Sequence, residues 1–234
     1  MSNNISKFFL ENGYVIINLF TKNEVSGMIK DVILRMNQLV KGKAYFLKSN
    51  WDIGNYHKLN LTKEIDSIYV DVPTRYIPLK KKIIKKLLNN DNILKITKDF
   101  WGHSKYTIHW VGNLKKKHIK KNATGFRLAR PKKIFPNDVA SVHQDLHYGG
   151  VIRKDHLATL TIWAPLRGFS EKYTLRIAPK SHLKNHPMGL ITSQKKYLVK
   201  EFNNAYLKKF KYIRPKLKKG QAILFHPNLL HGGS

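Results

Sequence analysis

Apolar residues near the N-terminus recur every three or four positions, which is the spacing of an amphipathic helix. Within residues 24–40 this spacing puts the following side chains on one stripe: Val25, Met28, Ile29, Val32, Ile33, Met36 and Leu39. Thr21 and Glu24 stand at its start and predict a capping box, in which each side chain satisfies a free backbone N–H. The preceding apolar run, residues 8–20, contains Gly13 as a turn residue and predicts a short helix end followed by a strand.

A second helical region follows a stretch without a clear period. Residues 41–75 show neither helical nor strand spacing, and we interpret them as loops with short elements. Two helices are then predicted, over Leu79–Leu88 and Ile93–Trp101, because their apolar residues share a face and Asn89-Asn90-Asp91 interrupts the pattern. The first of these helices carries its lysines on the solvent side.

From about residue 105 the apolar period changes to two, which is the period of a β-strand. Six such runs are separated by Gly, Pro, Asn or Lys clusters: YTIHWVG, GFRLA, VASVHQD, LATLTIW, YTLRIAP and QAILFH. Short strands at this spacing predict a double-sheet barrel of jelly-roll type, with the N-terminal helices packed against the outside of one sheet. We therefore expect an α+β, mainly β, fold in a single domain over 1–234, with a helical front at about 1–104 and a β-barrel at about 105–234.

Composition narrows the class of protein. The 234 residues are 42% hydrophobic, which is enough for one domain with a real core. The sequence contains neither a membrane-spanning apolar run nor an N-terminal export signal, so we expect a soluble, cytoplasmic protein. The sequence leaves the oligomeric state open, and we favour a monomer. It has no cysteine, so any metal site must use histidine and carboxylate ligands.

A formal charge of +30 is the most unusual global feature. Lysines supply 36 of the 44 basic residues, whereas proteins that read nucleic acids favour the forked contacts of arginine. We therefore interpret most of the charge as solvated lysine faces, of the kind that a nucleotide bias in the coding sequence produces. A basic rim that attracts an anionic substrate is the second interpretation, and a nucleic-acid binder is the third.

A candidate metal site lies in the β half. His143 and Asp145 are two residues apart on a predicted strand, so their side chains leave the same face and Gln144 faces the other way. His231 follows near the end of a later strand. Two imidazoles and one carboxylate leave three positions of an octahedral ion open, as in non-heme iron oxygenases. A zinc hydrolase, or an Asp145 that merely pairs with His147 or a lysine, remains an alternative.

The chain resembles the phytanoyl-CoA dioxygenase family at four places that occur in the family's order. These are FFLENGYVIINLFTKNEV, VHQD, LTIWAPL with YTLRIAPKSHLKNH, and GQAILFHPNLLHGG. The resemblance implies a double-stranded β-helix (a jelly roll, cupin-like) flanked by helices. It also implies Fe(II) and 2-oxoglutarate as cofactors, with dioxygen and a small organic molecule as substrates. His143, Asp145 and His231 would then be the iron ligands and catalytic residues.

One role in the family pattern has no matching residue. Family members usually carry an arginine shortly after the second histidine, which pairs with the far carboxylate of 2-oxoglutarate, but this sequence ends at Ser234. We expect either a fragment that lacks the last strand or another cosubstrate contact. Arg130, Arg127 and Ser234 are the candidates, with Arg176 as a further one.

Several other side chains are candidates for the surroundings of the site. Trp163, His147 and Tyr148 are expected to contact substrate, although Trp163 in the core and His147 in solvent remain alternatives. We expect His182 to hold a structural loop, and His226 to point away from the metal. Two further functions stay open: a catalytically inactive β-helix that acts as a binding module, and a basic protein that binds nucleic acid.

Overall fold

The fold is taken from a computed structural model, which describes residues 5–39, 52–53, 55, 76–111, 119–126, 141–145, 159–184, 186 and 202–233. Its helices are α1 (Ile5–Asn12), α2 (Lys22–Leu39), α3 (Lys81–Leu88), α4 (Asp91–Trp101) and α5 (Asn204–Leu207), with a 3-10 turn at Ser181–Leu183. Its strands are β1 (Tyr14–Asn18), β2 (Tyr76–Pro78), β3 (His109–Val111), β4 (Ile119–Lys121), β5 (Ala123–Gly125), β6 (Thr161–Trp163), β7 (Arg176–Ile177), β8 (Gln221–Phe225) and β9 (His231–Gly232).

The N-terminal elements form as the apolar spacing predicts. Gly13 adopts a φ of 77° between α1 and β1, a conformation that glycine reaches at little cost. The capping box is confirmed: the Thr21 N–H donates to Glu24 Oε2 at 2.7 Å and the Glu24 N–H donates to Thr21 Oγ1 at 3.2 Å. The α2 stripe is buried most deeply at Val25, Val32, Ile33 and Met36.

Strand β8 lies in the middle of a three-stranded antiparallel sheet, with β1 on one side and β6 on the other. Tyr14 and Thr161 both lie opposite Phe225, and Trp163 lies opposite Ile223. Residues directly opposite each other project from the same face of a sheet. These five side chains therefore share one face, and the alternate residues of the three strands project from the other.

The N-terminal helices cover that other face. Its apolar cluster joins strand residues Val15, Ile17, Ala222 and Leu224 to helix residues Phe9, Ile83, Leu87, Ile93 and Ile96. Lys81, Lys82 and Lys85 of α3 point to solvent, whereas Lys86 donates to Glu24 of α2 at 2.6 Å. The predicted packing of helices against the outside of a sheet and the solvated lysine face of α3 are both confirmed.

A second pair of strands lies towards the C-terminus. In β7 and β9, Ile177 lies opposite His231, and Arg176 lies opposite Gly232. Ile177 belongs to the apolar cluster that also contains Phe225. The other face belongs to a separate cluster, which comprises Val142, Ala178, Phe202 and Leu230 with Tyr206, Leu207, Phe210 and Tyr212 packed against it.

The strand predictions are confirmed in part. Strands β3, β6, β7 and β8 fall within four of the predicted runs. Of the predicted GFRLA strand only Gly125, the last residue of β5, and Phe126 are described, and its other residues lie outside the described part of the chain. The VASVHQD run is not a regular strand within residues 141–145, because only His143 pairs there, in an isolated bridge to His231. The helical front and β back also interleave, since β1 pairs with β8.

The described residues form helices and small antiparallel sheets of three or two strands, so a jelly roll is not established by their topology alone. In the part of the chain that the structure describes, no helix is both long and apolar enough to cross a membrane. The single-domain organisation stays a prediction.

Candidate metal centre

The backbone brings His143 and His231 side by side. The His143 N–H donates to the His231 carbonyl at 2.8 Å, and the His231 N–H donates to the His143 carbonyl at 3.0 Å. Strand β9 therefore lies between β7 and the segment that carries His143. A close approach at Gly232 helps this pairing, because a Cβ there would lie only 3.1 Å from the Val142 Cα.

The three predicted ligands converge. One ligand atom from each of His143, Asp145 and His231 lies within 4.8 Å of the other two. Asp145 Oδ1 lies 3.8 Å from His143 Nε2 and 3.5 Å from His231 Nε2. Ligand atoms bound to one ion at about 2.1 Å lie roughly 3 Å apart, so this group can hold a metal ion once the three side chains draw closer together.

Hydrogen bonds set the orientation of both imidazoles. His143 Nδ1 lies 2.7 Å from the Ser141 carbonyl, and His231 Nδ1 lies 2.9 Å from the Leu229 carbonyl. A carbonyl can only accept, so each Nδ1 carries the hydrogen, and in the neutral ring Nε2 carries the lone pair. Both rings thus present a metal-binding nitrogen towards Asp145, through the backbone contact that typically orients histidine ligands.

Asp145 supplies the negative charge. Burial would raise its pKa, but in the metal-free protein the attraction of the protonated His231 and His143 rings, with hydrogen bonds from protonated His231 and from Thr161, outweighs that effect. The pKa of Asp145 is therefore held well below its usual range, so the carboxylate is ionised at neutral pH. Thr161 Oγ1 donates to Asp145 Oδ2 at 2.5 Å. Thr161 was not among the site residues predicted from the sequence.

An apolar wall lies beside the ligands. The Phe225 ring centroid is 4.5 Å from that of His231. Trp163 is half-buried and packs against the cluster that contains Phe225 and Ile177. Trp163 thus contributes to the core on the same sheet face as Thr161, and its contact with substrate stays a prediction.

Gln144 faces away from the ligands, as its strand position predicts, and ties the two ligand-bearing segments together. Its Nε2 donates to the Asn228 carbonyl at 2.6 Å and to Asn228 Oδ1 at 2.7 Å. Asn228 Nδ2 in turn donates to the carbonyls of His182 and Lys184. No local spacing in the sequence indicates this contact, because its partners are far apart along the chain.

His182 and His226 lie apart from the ligand group, as expected. His182 is in the 3-10 turn, and its Nε2 donates to the Leu10 carbonyl at 2.8 Å. His226 Nδ1 accepts from the Asn228 N–H at 2.9 Å. The two rings lie 5.2 Å apart, centroid to centroid. Burial lowers the pKa of His226 to about 4, and the His182 ring contributes in the same direction.

This arrangement predicts a loss of stability in acid. The unfolded chain takes up a proton on His226 below about pH 6.5, whereas the folded state resists it until about pH 4. Between these values the free energy of unfolding should fall, by on the order of 2 kcal/mol after allowance for solvent screening. His226→Asn keeps an acceptor for the Asn228 N–H but cannot titrate. Urea unfolding of the metal-free proteins should therefore show a weaker pH dependence for the variant, and parallel curves would refute this assignment.

Among the candidates for contact with 2-oxoglutarate, the structure describes Arg176. Arg176 lies opposite Gly232, and its guanidinium carbon is 5.7 Å from the centre of the Tyr212 ring. Because Ile177 and His231 project from the other face, Arg176 points away from the ligands. Outside the described residues lie the other cosubstrate candidates, Arg127, Arg130 and Ser234, and the substrate candidates His147 and Tyr148.

Solved structures of other proteins share the fold of this chain. Two crystal structures of EvdO2 from Micromonospora carbonacea var. aurantiaca share the fold, one with a TM-score of 0.54 at 13% identity and one complexed with 2-oxoglutarate with 0.51 at 14%. Both matches cover 100% of this chain and 84% of the other. EctD from S. alaskensis with 2-oxoglutarate and 5-hydroxyectoine has a TM-score of 0.52 at 16% identity, over 100% of this chain and 70% of that one.

No curated protein matches the sequence significantly. The family model for phytanoyl-CoA dioxygenase (PhyH), however, matches residues 9–234, which is nearly the whole chain and includes all three predicted ligand residues. The chain therefore belongs to the phytanoyl-CoA dioxygenase family, a family of non-heme iron and 2-oxoglutarate-dependent enzymes.

Proposed function

We propose that this protein is an Fe(II)/2-oxoglutarate-dependent dioxygenase that hydroxylates a small, anionic organic substrate, with His143, Asp145 and His231 as the iron ligands. The convergence of these three side chains, in a chain matched by the family over residues 9–234, carries the proposal. We also propose that the described strands belong to a double-stranded β-helix of the jelly-roll type, as the similarity to EvdO2 and EctD supports.

The chain's own residues would bind and shield the reacting centre. His143 and His231 would hold the ion through Nε2, and Asp145 would offset part of its charge. When bound, iron and 2-oxoglutarate supply the activation of dioxygen that oxidation of a carbon centre requires. The ring of Phe225 beside His231 would keep water from one side of the site. The backbone pairing of His143 with His231 would keep the ligands aligned during turnover.

The alternatives receive less support. A catalytically inactive binding module needs no intact ligand set, yet all three ligands converge with both imidazoles oriented. A nucleic-acid binder rests on the charge of +30 alone, and exposed lysines on α3 agree with a solvated face. The same charge would draw an anionic substrate towards the protein, which is why we favour that substrate class.

Turnover without the true substrate tests the proposal. Purified full-length protein, supplied with Fe(II), 2-oxoglutarate and ascorbate in air, should form succinate slowly, and omission of either Fe(II) or 2-oxoglutarate should abolish it. Iron and 2-oxoglutarate affinities should be measured in parallel, because uncoupled turnover can be slow. Failure to bind both would reject the proposal in favour of the inactive module. DNA or RNA binding that needs no iron and weakens steeply with salt would instead favour a function in nucleic-acid binding.

A further inference from the structure

The Thr161 hydroxyl forms a hydrogen bond with one of the two carboxylate oxygens of Asp145. The hydroxyl donates to Oδ2 at 2.5 Å. The other oxygen, Oδ1, is the one that lies 3.5 Å from His231 Nε2 and 3.8 Å from His143 Nε2. Oδ2 therefore accepts a hydrogen bond from the hydroxyl, while Oδ1 faces the Nε2 atoms of the two histidines.

The Thr161 side chain is well placed to hold this contact. It lies on β6, opposite Phe225 of the central strand β8, and the Phe225 ring is itself in contact with His231. A β-branched side chain on a strand has few χ1 rotamers, so little entropy is lost when the hydroxyl is fixed. The contact also joins a rigid sheet to a ligand that is not in a regular strand.

We infer that Thr161 is a positioning residue, which holds Asp145 to coordination through Oδ1 alone and so keeps three positions of the metal open. This inference rests on the proposed function. Carboxylates bind metals through one oxygen or through both. If Oδ2 also bound, the protein would fill four of six positions and leave two, too few for a bidentate 2-oxo acid together with dioxygen. By occupying Oδ2, the hydroxyl opposes that second bond.

Two matched pairs of proteins test the inference. Wild type and Thr161→Val have the same shape and differ in the hydroxyl, and Thr161→Ser and Thr161→Ala differ in a single oxygen atom. Thr124→Val, at an exposed threonine of β5, controls for the loss of a hydroxyl elsewhere. Each protein is prepared without metal and titrated with Co(II), whose visible absorption reports coordination number. The Co(II)-saturated protein is then titrated with 2-oxoglutarate.

At saturating Co(II), we expect Thr161→Val to bind 2-oxoglutarate at least about tenfold more weakly than wild type, and Thr161→Ala at least about tenfold more weakly than Thr161→Ser. An effect of this size is typical when a group that orients a metal ligand is lost. The Co(II) spectra of Thr161→Val and Thr161→Ala should differ from wild type, whereas Thr161→Ser and Thr124→Val should retain wild-type behaviour. A role in packing alone would move the melting temperature but would not be rescued by serine.

Equal 2-oxoglutarate affinities and equal spectra within both pairs would overturn the inference while leaving the proposed function intact. A wild-type protein that takes up no Co(II) would overturn both. If Thr161→Val does not fold, the serine and alanine pair decides the question, because both variants lack the threonine methyl group and differ only in the hydroxyl.

Discussion

Asp145→Asn is expected to abolish metal binding and turnover while leaving the fold in place. The amide has nearly the same shape, and its oxygen can still accept from the Thr161 hydroxyl, but the negative charge between the two imidazoles is lost. Changes to groups that merely orient ligands cost about 10–100-fold in metal affinity. Loss of the charged ligand itself should therefore weaken Fe(II) binding by more than about 100-fold.

The measurement for Asp145→Asn is a titration with Fe(II) under anaerobic conditions, followed by succinate formation in air. Asp99→Asn is the matched control, because it makes the same chemical change at an exposed position of α4. The control should bind iron and turn over as wild type does. Wild-type affinity and activity in Asp145→Asn would remove this residue from the ligand set.

The second large effect is expected at Gly220, where a side chain cannot be accommodated. Its φ is +94°, and a Cβ built there would lie 2.0 Å from the Phe20 carbonyl oxygen. Its own carbonyl accepts from the N–H groups of Leu19 and Phe20, so the backbone cannot move away without losing those bonds. Gly220→Ala should therefore lower the free energy of unfolding by about 3 kcal/mol or more.

Gly27→Ala provides a control of opposite sign. Gly27 lies within α2, has no positive φ, and a Cβ there would meet no atom within 4 Å. Alanine in a helix interior should raise the free energy of unfolding by about 0.5–1 kcal/mol. Denaturant unfolding of both variants checks the pair, and a Gly220→Ala protein as stable as wild type would contradict the tight approach to Phe20.

The helical half was predictable because its information is local. Thr21 and Glu24 lie three residues apart, and the apolar stripe of α2 repeats at a fixed period, so neither requires knowledge of a distant partner.

The orientation of Arg176 was also predictable from local sequence. Leu175 and Ile177 flank it, and because side chains alternate between the two faces of a strand, two apolar neighbours indicate that Arg176 faces away from the predicted ligands.

The site was predictable only in part. The spacing of His143 and Asp145 and the later His231 predicted a set of metal ligands, and the structure brings these three side chains together. The prediction of a regular strand around His143 was wrong for residues 141–145. Whether strand pairing continues there depends on contacts between segments that are distant in sequence. Thr161 and the contact between Gln144 and Asn228 were missed for the same reason: each depends on the register of strands, which sequence spacing does not contain.

Because His143 pairs with His231, the supply of metal should also affect the stability of the C-terminal part of the chain. An ion shared by these two segments would act as a clip across a long stretch of intervening chain, and closing such a loop is entropically costly for the unfolded state. Because only the folded protein offers all three ligands, Fe(II) at 100 times its dissociation constant would add about 2.7 kcal/mol to the free energy of unfolding. Under iron starvation, proteases should therefore reach β9 sooner.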